Sequence, residues 1–145
     1  MNRRSLFLWL LLFVTIGFIF YLSWIPSPEM HSVKIVPDAV GKWADQEKNL
    51  SLRTGVPFFV AGIICAVLLI LNRPTLKGFI FVWLTLVLVA IIAEIGQFLL
   101  SSRQPDVFDV IWGAVGTLLG LAVPGVFLLW GGIRRHPSKT KHYRS

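Results

Sequence analysis

Five polar residues share one short stretch of an otherwise apolar chain: Glu94, Gln97, Arg103, Asp106 and Asp109. Glu94 stands in Ala-Ile-Ile-Ala-Glu-Ile-Gly-Gln. A charge at the centre of a membrane span costs about 2.5–3.5 kcal/mol, so a carboxylate in such a run is a functional candidate by default. Gln97, three positions on, shares its helical face. The chain then passes Ser101, Ser102, Arg103 and Gln104 to reach Pro105, a residue suited to the first turn of a helix. Asp106 and Asp109 follow, where unpaired amide N–H groups and the helix dipole favour carboxylates, and their spacing puts them on one face. Arg103 is the nearby cation. Such a cluster, built on a helical hairpin, can do one of several things. It can ligate a hard cation through oxygen, hold a proton on Glu94 for transfer, or grip a lipid phosphate with Arg103. The acids and Arg103 can also simply neutralise one another and pin the turn. Glu94 and Asp109 are therefore the catalytic candidates and Gln97, Arg103 and Asp106 the ligand-binding ones; the sequence specifies no metal or cofactor.

The elements that position these residues follow from composition. Of the 145 residues, 55% are apolar and only 14% charged, more greasy surface than one soluble core of that size can hide. A spanning helix needs roughly 20 mostly apolar residues, and four stretches qualify: Ser5 to Trp24, Gly55 to Leu71, Gly78 to Leu100 and Val107 to Gly132. The expected fold is an all-α membrane protein, a single domain of four transmembrane helices in a small bundle. The basic opening and the first apolar run resemble a secretory signal. The exit Tyr21-Leu-Ser-Trp-Ile-Pro26, however, lacks paired small residues for cleavage, so the first helix is expected to be a permanent anchor. The single Cys65 sits amid Ile-Ile-Cys-Ala-Val and reads as small apolar filler. Gly116 and Gly120 form a small-xxx-small pair that admits a neighbouring helix, and Pro124 with Gly125 marks a candidate kink.

Charge sets the expected orientation. Arg3, Arg4, Arg73, Lys77, Arg134, Arg135, Lys139, Lys141 and Arg144 fall on one side, with no acid. The other side holds Lys34, Lys42, Lys48, Arg53 and Arg103 with all seven carboxylates: Glu29, Asp38, Asp45, Glu47, Glu94, Asp106 and Asp109. The positive-inside rule then places both termini in the cytoplasm. The net charge of +7 becomes +9 on one face and −2 on the other, which accounts for the basic character without a nucleic-acid partner. The tail 134–145 reads as lipid headgroup contact. Trp9, Trp83 and Trp130 fall toward inner helix ends and Trp24 at an outer end, as interfacial rings would. Between the first two spans, Ile25 to Thr54 forms an extracytoplasmic loop, in which Gly41 to Leu50 is expected as a short interfacial helix with Val40 and Trp43 on its apolar edge.

The run Glu94-Ile-Gly-Gln97, then Arg103, Asp106 and Asp109, then Gly116 and Gly120, resembles the VanZ-like family, membrane proteins associated with low-level teicoplanin resistance. The family pattern is E-x-x-Q, a short gap, R-x-x-D-x-x-D and a glycine-bearing helix. Phe20-Tyr21-Leu22-Ser23 ahead of Pro26 looks like the family's aromatic-serine exit from its first helix. The resemblance covers the chain end to end, with its specific part between Glu94 and Gly120. Two positions depart. Gly113 stands where the family often has asparagine, and Arg53-Thr-Gly-Val-Pro57 carries no counterpart of a Lys-x-x-His pair, for which His31 or Lys48 could substitute.

The resemblance implies a multi-pass protein of the bacterial cytoplasmic membrane that touches susceptibility to cell-wall antibiotics. Three functions remain open at this point. One is a binder of an anionic envelope lipid or lipid-linked precursor at the outer leaflet. Another is an intramembrane enzyme with Glu94 as acid/base and Asp106 and Asp109 on a metal. The last is a proton-coupled transporter subunit, which with four helices per copy would need an oligomer. No nucleotide-binding glycine loop, paired-cysteine metal spacing or nucleophile elbow is present, which weakens every soluble-enzyme reading.

Overall fold

The computed structural model describes residues 3–24, 37–46, 49–72, 74–100 and 105–133, the side chains of 50, 51 and 127–133 excepted. Five helices make up the described residues, with no strand among them: α1 (Arg3–Trp24), α2 (Asp38–Ala44), α3 (Leu50–Asn72), α4 (Leu76–Gln97) and α5 (Val107–Ile133). Four helices are long and apolar enough to cross a membrane, over Arg3–Trp24, Leu52–Asn72, Leu76–Gln97 and Val107–Val126. Phe13, Phe81, Leu88 and Leu118 all stand more than half exposed. In water such faces would be a large aggregation liability; in hydrocarbon they are the solvent-facing surface.

The long helix α3 is the hub. It packs most extensively on α5 and also touches α1, α4 and α2. Phe58, Ala61, Ile64, Cys65, Ala66 and Leu68 of α3 join Leu12, Ile19, Leu86, Ala90 and Leu121 in the core. Phe58, Ala61, Cys65 and Leu68 recur at three and four, the period that keeps one face of a helix inward, and Ile64 and Ala66 widen that face. Cys65 is buried there, as small filler would be.

Closeness between α3 and α5 depends on glycine. A Cβ on Gly116 would collide with the Gly55 carbonyl oxygen, and one on Gly120 with that of Phe59. From the other side, a Cβ on Gly62 would stand 2.6 Å from the Thr117 carbonyl oxygen and 3.1 Å from the Gly120 Cα. Backbone thus rests on backbone, the contact that small residues permit where no hydrophobic effect drives helices together. Hydrogen bonds add ties. The Trp83 indole N–H donates to the Ala114 carbonyl at 3.1 Å and joins α4 to α5. Thr117, wholly buried, donates to the Gly113 carbonyl one turn earlier at 2.9 Å, so its hydroxyl carries no unsatisfied donor into the core.

By contrast α1 fully buries only Ser5, Leu12 and Ile19, each seven residues from the next, with Leu8 and Ile16 packed partly buried beside them.

Several boundaries differ from those expected. The α3 helix begins at Leu50 and not at Gly55, so Arg53 and Thr54 lie inside it; Pro57 is accommodated within the helix. The α4 helix ends at Gln97 and not at Leu100, because residues 98–100 tighten into turns, with the Leu100 N–H on the Gln97 carbonyl at 2.9 Å. The loop helix covers Asp38–Ala44, earlier than Gly41 to Leu50. The Asn49 side chain explains its end: its amide donates to the Trp43 carbonyl at 2.7 Å, closing the turn that leads into α3. Helix α5 continues through Pro124.

Candidate functional site

At one end of the bundle meet the C-termini of α1 and α4 and the N-termini of α3 and α5. This end carries Asp38, Asp45, Glu94, Asp106 and Asp109 against Lys42 and Arg53 among the described residues, whereas the opposite end carries Arg3, Arg4 and Lys77 and no described acid.

Glu94 stands in the last turn of α4, three residues before its end, and is only 8% exposed. Gln97 Nε2 donates to Glu94 Oε1 at 3.2 Å, one turn along the same helix. The backbone N–H of Asp106 donates to Glu94 Oε2 at 3.0 Å. That second bond crosses from α4 to the residue just ahead of α5 and closes the polar hairpin.

The start of α5 shows why Glu94 takes this part. Asp106 Oδ1 accepts from the Phe108 N–H at 2.9 Å, the bond of a helix-capping residue. In a capping box the side chain three residues after the cap reaches back to the cap's own N–H. Here that side chain is Asp109, yet Glu94 of the preceding helix occupies the N–H. Asp109 is thereby left to accept from the Thr54 hydroxyl of α3, at 2.8 Å. One hydrogen-bonded chain, Gln97 to Glu94 to Asp106 on one side and Asp109 to Thr54 on the other, joins α4, α5 and α3.

A third approach comes from α1. The Trp24 N–H donates to the Ala93 carbonyl at 3.1 Å, and its indole lies over Gly96, where a Cβ would fall 2.8 Å from Cζ2. Glycine at position 96 is what lets the ring close on the end of α4. Phe20 supports the ring from one turn below, with centroids 4.9 Å apart.

These contacts enclose a pocket lined by Ile19, Leu22, Ser23, Arg53, Thr54, Pro57, Phe58, Glu94, Gln97 and Asp109. Its volume is about 40 Å³. A water needs roughly 10–15 Å³ on that measure, so the space holds about three waters or one small polar group such as a phosphate. Its lining combines apolar side chains with a guanidinium, two carboxylates, two hydroxyls and an amide.

The structure therefore brings together Glu94, Gln97 and Asp109. Asp106 contributes its backbone N–H, while its carboxylate is exposed and occupied as a cap. Arg103 lies outside the described residues, as do His31 and Lys48. No group of three or more His, Cys, Asp or Glu side chains is arranged to hold a metal ion among the described residues. Sequence reasoning did not count Arg53, Thr54 or Ser23 among the site residues. Arg53 obeys the same rule that flagged Glu94, a charge within a spanning helix, but was hidden by placing the helix start two residues too late to include it.

Gly113 sits one turn beyond Asp109, buried, where a Cβ would stand 3.2 Å from Phe58 Cδ2 and 3.3 Å from the Ala90 Cβ. An asparagine there would have to displace Phe58, itself a pocket wall.

The fold and pocket define a class: an all-helical bundle with four helices of membrane-spanning length and apolarity and one polar site at a bundle end. The chain matches no protein-family model, no curated protein and no solved structure.

Proposed function

We propose that the protein is a VanZ-like integral membrane protein of the bacterial plasma membrane, with both termini cytoplasmic. Its pocket, at the outer leaflet, receives the anionic head of an envelope lipid or lipid-linked precursor, and its presence alters susceptibility to glycopeptides such as teicoplanin. The observation that carries this reading is Arg53 lining a phosphate-sized pocket together with the hydrogen-bonding side chains Thr54 and Gln97 and the apolar side chains Ile19, Leu22, Pro57 and Phe58. A guanidinium recognises phosphate through its fork of donors, and apolar residues suit the carbon next to it. The charge asymmetry of the bundle supports the orientation.

Glu94 and Asp109 line the same pocket, which supports a second reading, an acid/base enzyme acting on that head. One experiment separates the two. Binding of a polyprenyl phosphate to the purified protein in nanodiscs is measured for wild type, Arg53→Gln and Asp109→Asn, with product analysis in parallel. A hydrogen bond to a charged group is worth about 1.5–3 kcal/mol, so Arg53→Gln is expected to weaken binding more than tenfold. Equal binding by wild type and Arg53→Gln overturns the first reading. Product formed by wild type and abolished in Asp109→Asn establishes the second. Teicoplanin susceptibility of cells with and without the protein tests the envelope role.

A further inference from the structure

The opposite end of the bundle carries a different surface. A groove of about 520 Å³ runs between the start of α1 and the end of α3, lined by Arg3, Arg4, Phe7, Leu8, Val67 and Leu71. Its surface is almost wholly apolar, so the two arginines line it through their carbon stems beside four hydrophobic side chains. Along this part of α1 Ser5 and Leu12 are buried, Leu8 packs partly buried against the core, and Phe7 is exposed.

Its charges lack a described counterpart. Arg3 and Arg4 occupy the first turn of α1 with no acid in it, and no ion pair holds them among the described residues. The exposed Asn72 at the end of α3 donates to the Leu68 carbonyl of its own helix at 2.9 Å and offers the arginines no negative charge. Lys77 at the start of α4 adds to the same sign.

From this charge complementarity we infer that the groove between α1 and α3 is a binding site for one anionic phospholipid of the surrounding leaflet, its phosphate on Arg3 and Arg4 and an acyl chain against Phe7, Leu8, Val67 and Leu71. Basic residues at a membrane surface attract anionic lipids generally, but a groove that also takes the chain selects one bound lipid over a diffuse layer. The site is independent of the polar pocket and takes a lipid from the other leaflet.

The test uses the full chain in phosphatidylcholine nanodiscs titrated with phosphatidylglycerol spin-labelled on an acyl chain, at about 0.15 M ionic strength. Wild type is expected to immobilise phosphatidylglycerol in preference to labelled phosphatidylcholine, with millimolar inorganic phosphate unable to compete. Each arginine contributes on the order of fivefold, so Arg3→Gln with Arg4→Gln is expected to lower the preference roughly 25-fold. Lys77→Gln, at the same end but outside the groove, is expected to leave it unchanged. Val67→Trp, which fills the floor, is expected to abolish chain immobilisation; should the double arginine variant fail to fold, this variant decides alone. Equal retention of the two lipids by wild type, an unaltered preference in the double variant, an equal loss in Lys77→Gln, displacement by phosphate, or full immobilisation by Val67→Trp would each overturn the site.

Discussion

Glu94 holds donors that belong to different elements, the Gln97 amide on its own helix and the Asp106 N–H at the head of the next. A carboxylate in this place is a fastener as well as a charge, and that separates its possible substitutions. Replacing it by leucine strands two donors near the low-dielectric interior, each costing about 1–3 kcal/mol. Glutamine keeps an acceptor for the Asp106 N–H and loses mainly the charge. Thermal unfolding in detergent is expected to show Glu94→Leu lowered by several degrees and Glu94→Gln by much less. Identical losses would mean that charge, and not acceptance, is what the hairpin requires. The Thr54–Asp109 bond is expected to matter less for stability, since single interhelical hydrogen bonds in membranes average about 0.6 kcal/mol. Asp109 is therefore the better probe of function, because its removal disturbs the bundle less.

At the level of elements, the pairing of α3 with α5 rests on absent side chains. The obstacle facing a Cβ at Gly120 is the Phe59 carbonyl oxygen, and at Gly116 the Gly55 carbonyl oxygen, neither of which can rotate away. Gly120→Ala and Gly116→Ala must push the two helices apart, at about 1–3 kcal/mol each. Gly125 and Gly17 have nothing within 4 Å, so Gly125→Ala and Gly17→Ala lose no contact and reduce only backbone freedom. Chemical or thermal denaturation is expected to rank the first pair clearly destabilised and the second pair unchanged or slightly stabilised. Loss at Gly125 equal to that at Gly120 would show that helix propensity and not packing governs the bundle.

For the whole molecule, the two bundle ends differ in charge, and a membrane converts that difference into an orientation. In a Cys65→Ala background, a membrane-impermeant maleimide is expected to label Gln46→Cys in intact cells and Ser138→Cys only after permeabilisation. Removing Cys65, the one cysteine of the chain, leaves the introduced thiol as the sole target. The reverse pattern would put the polar pocket on the cytosolic side and remove any role at the outer leaflet. The narrow seating of α1 belongs to the same scale: it forms both a wall of the pocket, through Ile19, Leu22 and Ser23, and a wall of the basic groove, through Phe7 and Leu8.

The sequence by itself determined the number of long helices and their approximate extents, because a run of about 20 apolar residues has one stable arrangement in hydrocarbon, with every backbone group bonded within the segment. It also marked Glu94, Gln97 and Asp109 as neighbours, since helical spacing and a short turn hold them together whatever the rest of the chain does, and it marked Gly116 and Gly120 as a packing face. Tertiary structure alone decided what those residues touch. No local rule foretells that Asp109 would meet Thr54, 55 positions earlier, or that Glu94 would take the N–H that Asp109 might have capped. Arg53 joined the pocket only because α3 begins early enough to carry it there, and the bond from Trp83 to the Ala114 carbonyl follows from no local pattern. Spacing along a chain fixes which residues share a helix face. The partner opposite that face is chosen by packing, in which distant segments compete for the same surface.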